Sequence, residues 1–347
     1  MEAILTEQPH FPTTDIDIVA CGSTLGNLIR FVRKHDKPFR MLVEVIGSTV
    51  FFVRRENSPT ELISNVYGFG HTFPEMYTTW TADVKGSESH QRVLRYRFGG
   101  LQCLVRFEAD GYHPELLPQR TGKSTLAENV PVQIQSSSSL SSALADTTIG
   151  TRPSTDPAGG SLTIVQAGER VPQAAVFDLK TRSIRKQGED ILGEELPRLW
   201  IAQIPNFVLA YHRSGMFEDI QIRDVQDEIQ QWELDNEAHL RQFAQLLTKL
   251  ISFARGWEDG RFELRRAEGS QTLELRKQCD DVGRALPTPL HYRWITQTSD
   301  GHESPAAESP LSSPDWNEDA LEWDEGSEKD FTACSADTCG YCGHCEY

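Results

Sequence analysis

The sequence predicts an α+β protein: a mixed β-sheet core with helices packed on it, interrupted by one polar insertion and followed by an acidic tail. Three observations predict this class. Short apolar runs recur in pairs around turn residues, as in β-hairpins. One long segment repeats its apolar residues every three or four positions, as a helix does. Two stretches are too poor in large apolar residues to build a core of their own.

The elements follow in order. Phe39–Glu56 reads as a hairpin around Gly47-Ser48, and Val93–Asp110 as a second around Gly99-Gly100. Residues 113–161 are rich in Ser, Thr, Pro and Gly, and are expected to be a disordered insertion. Leu162–Gln166 and Ala174–Thr181 are expected to resume the sheet as a strand pair. Asp190–Ile204 reads as a helix that Pro197 must start or kink. Phe207–His212 and Glu218–Arg223 form a further strand pair. Val225–Arg255 has the clearest helical periodicity, through Ile229, Trp232, Leu240, Phe243, Leu247, Leu250 and Ile251, and Gly256 is its stop. Phe262–Arg266 and Thr272–Lys277 form a last hairpin, and disorder is expected from Thr298 onward. One domain in two parts, residues 1–112 and 162–297, is therefore expected around the insertion, with residues 298–347 as its tail.

Two polar pairs, one of two carboxylates and one of a carboxylate and a lysine, carry the functional argument. Glu108 and Asp110 close one apolar run, and Asp178 and Lys180 lie inside another. Residues two apart on a strand share a face, so each pair presents its polar groups together. Buried like charges need a metal or a proton to coexist. Three acids and a lysine on neighbouring strands are a means of holding a divalent cation and polarising a phosphodiester. The alternative is a solvated sheet edge with ordinary salt bridges. Arg95, Arg97 and Arg106 offer a strip for phosphates, or simply a soluble surface. Phe69, Phe73, Tyr77 and Trp80 suit base stacking or, more simply, the core.

The same residues resemble the DXO-type family of decapping and 5′-end RNA nucleases, whose fold is PD-(D/E)xK-like. Asp17–Gly22 with Leu25–Leu28 resembles the family's opening strand-to-helix segment, and Phe39–Glu56 the hairpin that follows it. Gly70 and Glu75 are similar to its glycine-to-glutamate motif. Glu108 and Asp110 match its E-x-D motif, Asp178 and Lys180 its E-φ-K motif, and Gln203 the glutamine on the next helix. The resemblance implies that Glu108, Asp110 and Asp178 hold Mg²⁺ or Mn²⁺, with Glu75 joining a second ion. It implies that Lys180 orients water and Gln203 positions substrate, the substrate being an RNA 5′ end. The chain departs from the family at Cys21, where an arginine normally grips phosphate, and at Asp178, which is one methylene shorter than the usual glutamate.

Charge and cysteine usage set the remaining expectations. The net charge is −17, but from Asp300 onward there are 13 acidic residues against Lys329 alone, so residues 1–299 carry only about −5. That body lacks the basic surplus of a non-specific nucleic-acid binder, and any RNA contact needs a local patch. The first residues lack the pattern of a secretory signal, and no run approaches 18 apolar residues, so an intracellular protein, nuclear or cytoplasmic and with no membrane span, is expected. Cys334, Cys339, Cys342 and Cys345 have spacing suited to Zn²⁺ or an Fe-S cluster, or form a redox-active or idle tail.

The favoured expectation is a divalent-metal-dependent nuclease or phosphohydrolase. Its rival is a non-catalytic interaction module on the same fold, with RNA or a protein as partner. Resembling fungal chains often carry the name geranylgeranyl diphosphate synthase, but such synthases resemble all-α bundles with two D-D-x-x-D motifs. Here Asp280-Asp281-Val282-Gly283-Arg284 is the only near match, and it lacks the third acid.

Overall fold

A computed structural model describes residues 1–55, 69–70, 72–118, 164–279 and 282–296. The cysteine series Cys334–Cys345, Asp280-Asp281 and most of the expected insertion lie outside them. In chain order the elements are α1 (Glu2–Glu7), β1 (Ile18–Cys21), α2 (Gly22–Val32), β2 (Phe39–Ile46), β3 (Thr49–Arg54), α3 (Thr72–Tyr77), β4 (Gln91–Phe98), β5 (Leu101–Glu108), β6 (Gly111–Tyr112) and β7 (Val176–Ser183). They continue with α4 (Ile191–Ala202), β8 (Asn206–Arg213), β9 (Met216–Asp224), α5 (Gln226–Asp235), α6 (Glu237–Gly256), β10 (Arg261–Arg266), β11 (Glu274–Lys277) and α7 (Thr288–Thr296).

The strands make two sheets. A seven-stranded mixed sheet runs β11-β10-β2-β3-β1-β5-β4, with β1 parallel to both β3 and β5, and a four-stranded sheet runs β6-β7-β8-β9, with β7 parallel to β8. The expected hairpins form as the turn residues require. Between β4 and β5 both Gly99 (φ +56°) and Gly100 (φ +85°) take the left-handed conformation that a tight two-residue turn needs. A Cβ on Gly99 would also stand 2.5 Å from the Ala244 Cβ on α6. Gly99→Ala is therefore expected to cost about 2 kcal/mol, read as a lower midpoint in urea unfolding.

Helix α4 is the keystone of the core. Its Trp200 and Ile201 join Val43, Phe52, Phe243 and Leu250 on the inner face of the large sheet. Its Ile191, Leu192, Leu199 and Ala202 join Val176, Phe207 and Leu209 on the small one. One helix thus serves both sheets, because apolar residues occupy more than one stripe around it. Asp190 caps it by accepting from the Gly193 N–H at 3.0 Å, and Pro197 is held inside it. On the outer face of the large sheet, α7 buries Leu290 and Trp294 against Val19, Ile46, Phe51 and Leu104. Burying such side chains contributes roughly 1.5–3 kcal/mol each.

Several expectations are corrected. Residues 164–166 form no strand, and β7 pairs instead with β6 and β8. The single helix expected over Val225–Arg255 is two, α5 and α6, broken at Asn236, whose side chain donates to the Trp232 carbonyl at 2.9 Å. The first residues of the expected insertion are ordered, with a 3-10 turn at Pro114–Leu116 and a buried His113 whose N–H donates to the Ala175 carbonyl. No helix among the described residues is long and apolar enough to cross a membrane.

Candidate functional site

The antiparallel register of β6 on β7 sets Gly111 against Phe177 and Tyr112 against Val176, which brings Asp110 alongside Asp178. Glycine is needed at 111, because a Cβ there would stand 2.4 Å from the Phe177 ring. Alternation along β7 then turns Val176, Asp178 and Lys180 toward α4. Phe177 and Leu179 face the other way, where Phe73 of α3 covers them. Asp110 and Asp178 are thus brought together, and Lys180 shares their side of the sheet.

Helix α4 supplies two further charges that the motif reading missed. Arg198 grips Asp178 with a two-pronged fork, Nη1 donating to Oδ2 at 2.6 Å and Nη2 to Oδ1. Its Nε donates to Glu195 Oε2 at 2.8 Å. Glu195 Oε1 in turn lies 2.9 Å from Lys180 Nζ and 3.8 Å from Arg182 Nη2. Asp178 and Glu195 are each only 2% exposed. The cluster therefore holds three acids, Asp110, Asp178 and Glu195, against three bases, Lys180, Arg182 and Arg198. A bidentate guanidinium–carboxylate pair is the strongest geometry such groups adopt.

Proton affinities follow from this placement. Burial, and then the neighbouring Asp178 charge, push the Asp110 carboxyl up to about 7, although the Leu179 N–H donates to its Oδ2 at 2.6 Å. Burial also raises Asp178, with the Arg198 charge opposing it. For Glu195 burial is outweighed by Arg198 and Lys180 together, and its carboxyl is held down at about 2.

Of the other expected site residues, Glu108 stays near Asp110 and the rest lie elsewhere. Glu108 ends β5 with an exposed side chain, close enough to raise Asp110 slightly. Glu75 is exposed on α3, whose Phe73 packs on the opposite face of the small sheet from Asp178. Gln203 takes a left-handed conformation (φ 52°) at the end of α4, and its side-chain amide donates to the Trp200 carbonyl, closing the helix. Cys21, where the resemblance leads one to expect an arginine, caps α2: its N–H donates to Thr24 Oγ1 at 3.2 Å and its Sγ lies 3.2 Å from Ser23 Oγ. Arg95 and Arg97 share a face with Arg106, which pairs with Val93. That face is opposite Tyr96, whose hydroxyl donates to the Ile201 carbonyl of α4 at 3.0 Å. The arginine strip therefore faces away from the acids.

A signal for the missed residues was present. Leu192, Glu195, Leu199 and Ala202 lie on one helical stripe, so Glu195 interrupts an apolar face, and Arg198 follows it by one turn. A charge on a core-facing stripe demands a buried partner.

The donors do not fit a divalent cation as they are packed. Asp178 commits both oxygens to Arg198, Asp110 commits one to a backbone N–H, and the local charge is already balanced. Among the described residues no group of three or more His, Cys, Asp or Glu side chains is arranged to hold a metal ion.

Comparison with solved structures identifies the class of fold. Rai1 of Scheffersomyces stipitis in complex with (3′-NADP)⁺ and calcium ion is similar to this chain over 84% of it and 76% of that chain, at 11% identity and a TM-score of 0.54. Rai1 of S. stipitis in a second structure matches over 84% and 76%, at 12% identity and a TM-score of 0.51. Rai1 of S. pombe matches over 80% and 76%, at 11% identity and a TM-score of 0.50. The chain thus has the fold of the Rai1 and DXO-type decapping nucleases. By sequence, it belongs to the family described as Domain of unknown function (DUF8563), whose model matches residues 1–262. A search of the curated proteins found no match.

Proposed function

We propose that this chain uses a decapping-nuclease fold as a binding module for RNA 5′ ends and does not hydrolyse them. The observation that supports this is the Arg198 fork on Asp178. A hydrolytic site of this fold has to offer its acids to a cation and its lysine to water or phosphate. Here the acid on β7 is spent on a guanidinium and Lys180 on Glu195. RNA is the proposed ligand because S. stipitis Rai1, which has the same fold, was solved with (3′-NADP)⁺ together with a calcium ion. The exposed arginine strip of β4 and β5 is the proposed contact for phosphates.

The second reading is a Mg²⁺- or Mn²⁺-dependent nuclease acting on RNA 5′ ends. Asp110 beside Asp178, with Lys180 on the same side of β7, favours it, and it requires Arg198 to leave Asp178. One assay separates the two. RNAs bearing 5′-triphosphate, monophosphate, hydroxyl or cap are incubated with the full chain in Mn²⁺, beside Asp110→Ala. Binding without product, the same for both proteins, is expected. A metal-dependent product that Asp110→Ala abolishes would establish the nuclease, and absence of RNA binding would leave a protein as the partner.

A further inference from the structure

We propose that Arg198 is a tethered cation occupying the place of a divalent ion among Asp110, Asp178 and Glu195, and that Arg198→Gln opens this place to Mn²⁺. The inference rests on the binding-module reading and adds the means by which the site does without a metal.

Three separate pieces of chain bring these acids together: the turn after β5, strand β7 and helix α4. Lys180 and Arg182 both turn to Glu195, which leaves the β7 acid to Arg198. A carboxylate as buried as Asp178 is not tolerated without a counter-charge. A guanidinium meets that need with a fixed fork, does not lose its proton near neutral pH and cannot dissociate from the chain. A bound divalent ion would satisfy the same oxygens, but only while its free concentration held it there.

Glu195 is the second acid that Arg198 ties in: its Oε2 accepts from Arg198 Nε at 2.8 Å, while its Oε1 lies 2.9 Å from Lys180 Nζ and 3.8 Å from Arg182 Nη2. One guanidinium thus spans the carboxylates of Asp178 and Glu195, as a bridging cation would. Removing the guanidinium would leave three acids against Lys180 and Arg182, with space where the planar group had been. Glutamine at 198 would add a neutral carbonyl oxygen to the donors.

The test is calorimetric titration of the full chain with MnCl₂, combined with thermal unfolding with and without 1 mM Mn²⁺. Wild type is expected to bind no Mn²⁺ among these residues and to keep its unfolding temperature. Arg198→Gln is expected to unfold at a lower temperature, bind one Mn²⁺, and regain several degrees in its presence. The double variant Asp178→Asn/Arg198→Gln is expected to lose that binding. Were Arg198→Gln unfolded without metal, refolding in Mn²⁺ but not in NaCl of equal ionic strength would support the proposal, and failure to refold in Mn²⁺ would overturn it. A folded Arg198→Gln that ignores Mn²⁺ would overturn it too, while the RNA assay on wild type still judged the binding-module reading. Mn²⁺ binding by wild type that Asp178→Asn abolishes would overturn both.

Discussion

Glu195→Ala is expected to lower the free energy of unfolding by about 3 to 5 kcal/mol, the cost of leaving a buried ion cluster without one of its partners. Glu195 is 2% exposed and is the shared partner of Lys180, Arg182 and Arg198, so its loss leaves Lys180 and Arg182 without their acid in the interior, while Arg198 keeps Asp178. Neighbouring helix and strand cannot relax this, because α4 is fixed on both sides by apolar packing. Lys180→Met in the Glu195→Ala background should recover part of the loss, since it removes one stranded charge. Urea unfolding of the four proteins of this cycle measures both effects. A loss under 1 kcal/mol for Glu195→Ala would mean that water screens the cluster.

Stability should also depend on pH through buried carboxyls shifted in opposite directions. The Glu195 pKa is depressed from its ordinary value of 4.5 to about 2, so the unfolded chain takes up its proton first as pH falls. Its contribution is therefore complete above about 4.5 and is lost as pH drops through 2. The Asp110 pKa is raised from 3.8 to about 7, so here the folded chain holds the proton more tightly. That contribution is complete below 3.8 and is lost as pH rises through 7. Asp178, raised as well by burial, acts in the same sense as Asp110, so stability is expected to be greatest in mild acid and to decline toward pH 7. Asp110→Asn keeps an acceptor for the Leu179 N–H and removes the ionisation, so it should flatten the decline and stabilise the protein at pH 8. Unfolding temperatures of the two proteins from pH 4 to pH 8 measure this, and parallel curves would contradict it.

The parts of the fold legible in the sequence are those in which local chemistry decides the outcome. Gly99-Gly100 forces a tight turn wherever it occurs, and the apolar spacing of Leu240, Phe243, Leu247, Leu250 and Ile251 allows only a helix. The break at Asn236 was hidden because no proline or glycine marks it. Strand β6 was hidden because two residues carry no periodicity, and α7 because its buried residues, Leu290 and Trp294, form a single i,i+4 pair.

The same division runs through the candidate site. Asp110, Asp178 and Lys180 could be found because strand alternation puts them on one side of neighbouring strands. Arg198 and Glu195 were missed because their meaning depends on where α4 docks, which is a tertiary fact. Gln203 matches the family's glutamine on the helix by sequence, but helix geometry carries it beyond the last turn, where it serves as a cap. Cys21 shows the converse. Its departure from the family arginine was visible, but its role as the N-cap of α2 required the strand-to-helix junction to be seen.

Whether Arg198 holds Asp178 in place of a metal is decided by anomalous diffraction at the manganese edge from crystals of the wild-type protein grown in MnCl₂. The Arg198 guanidinium is expected within hydrogen-bond distance of both Asp178 oxygens, with no anomalous peak among Asp110, Asp178 and Glu195. A manganese peak bonded to Asp110 and Asp178, with Arg198 turned away toward solvent, would contradict it and return the nuclease reading to first place.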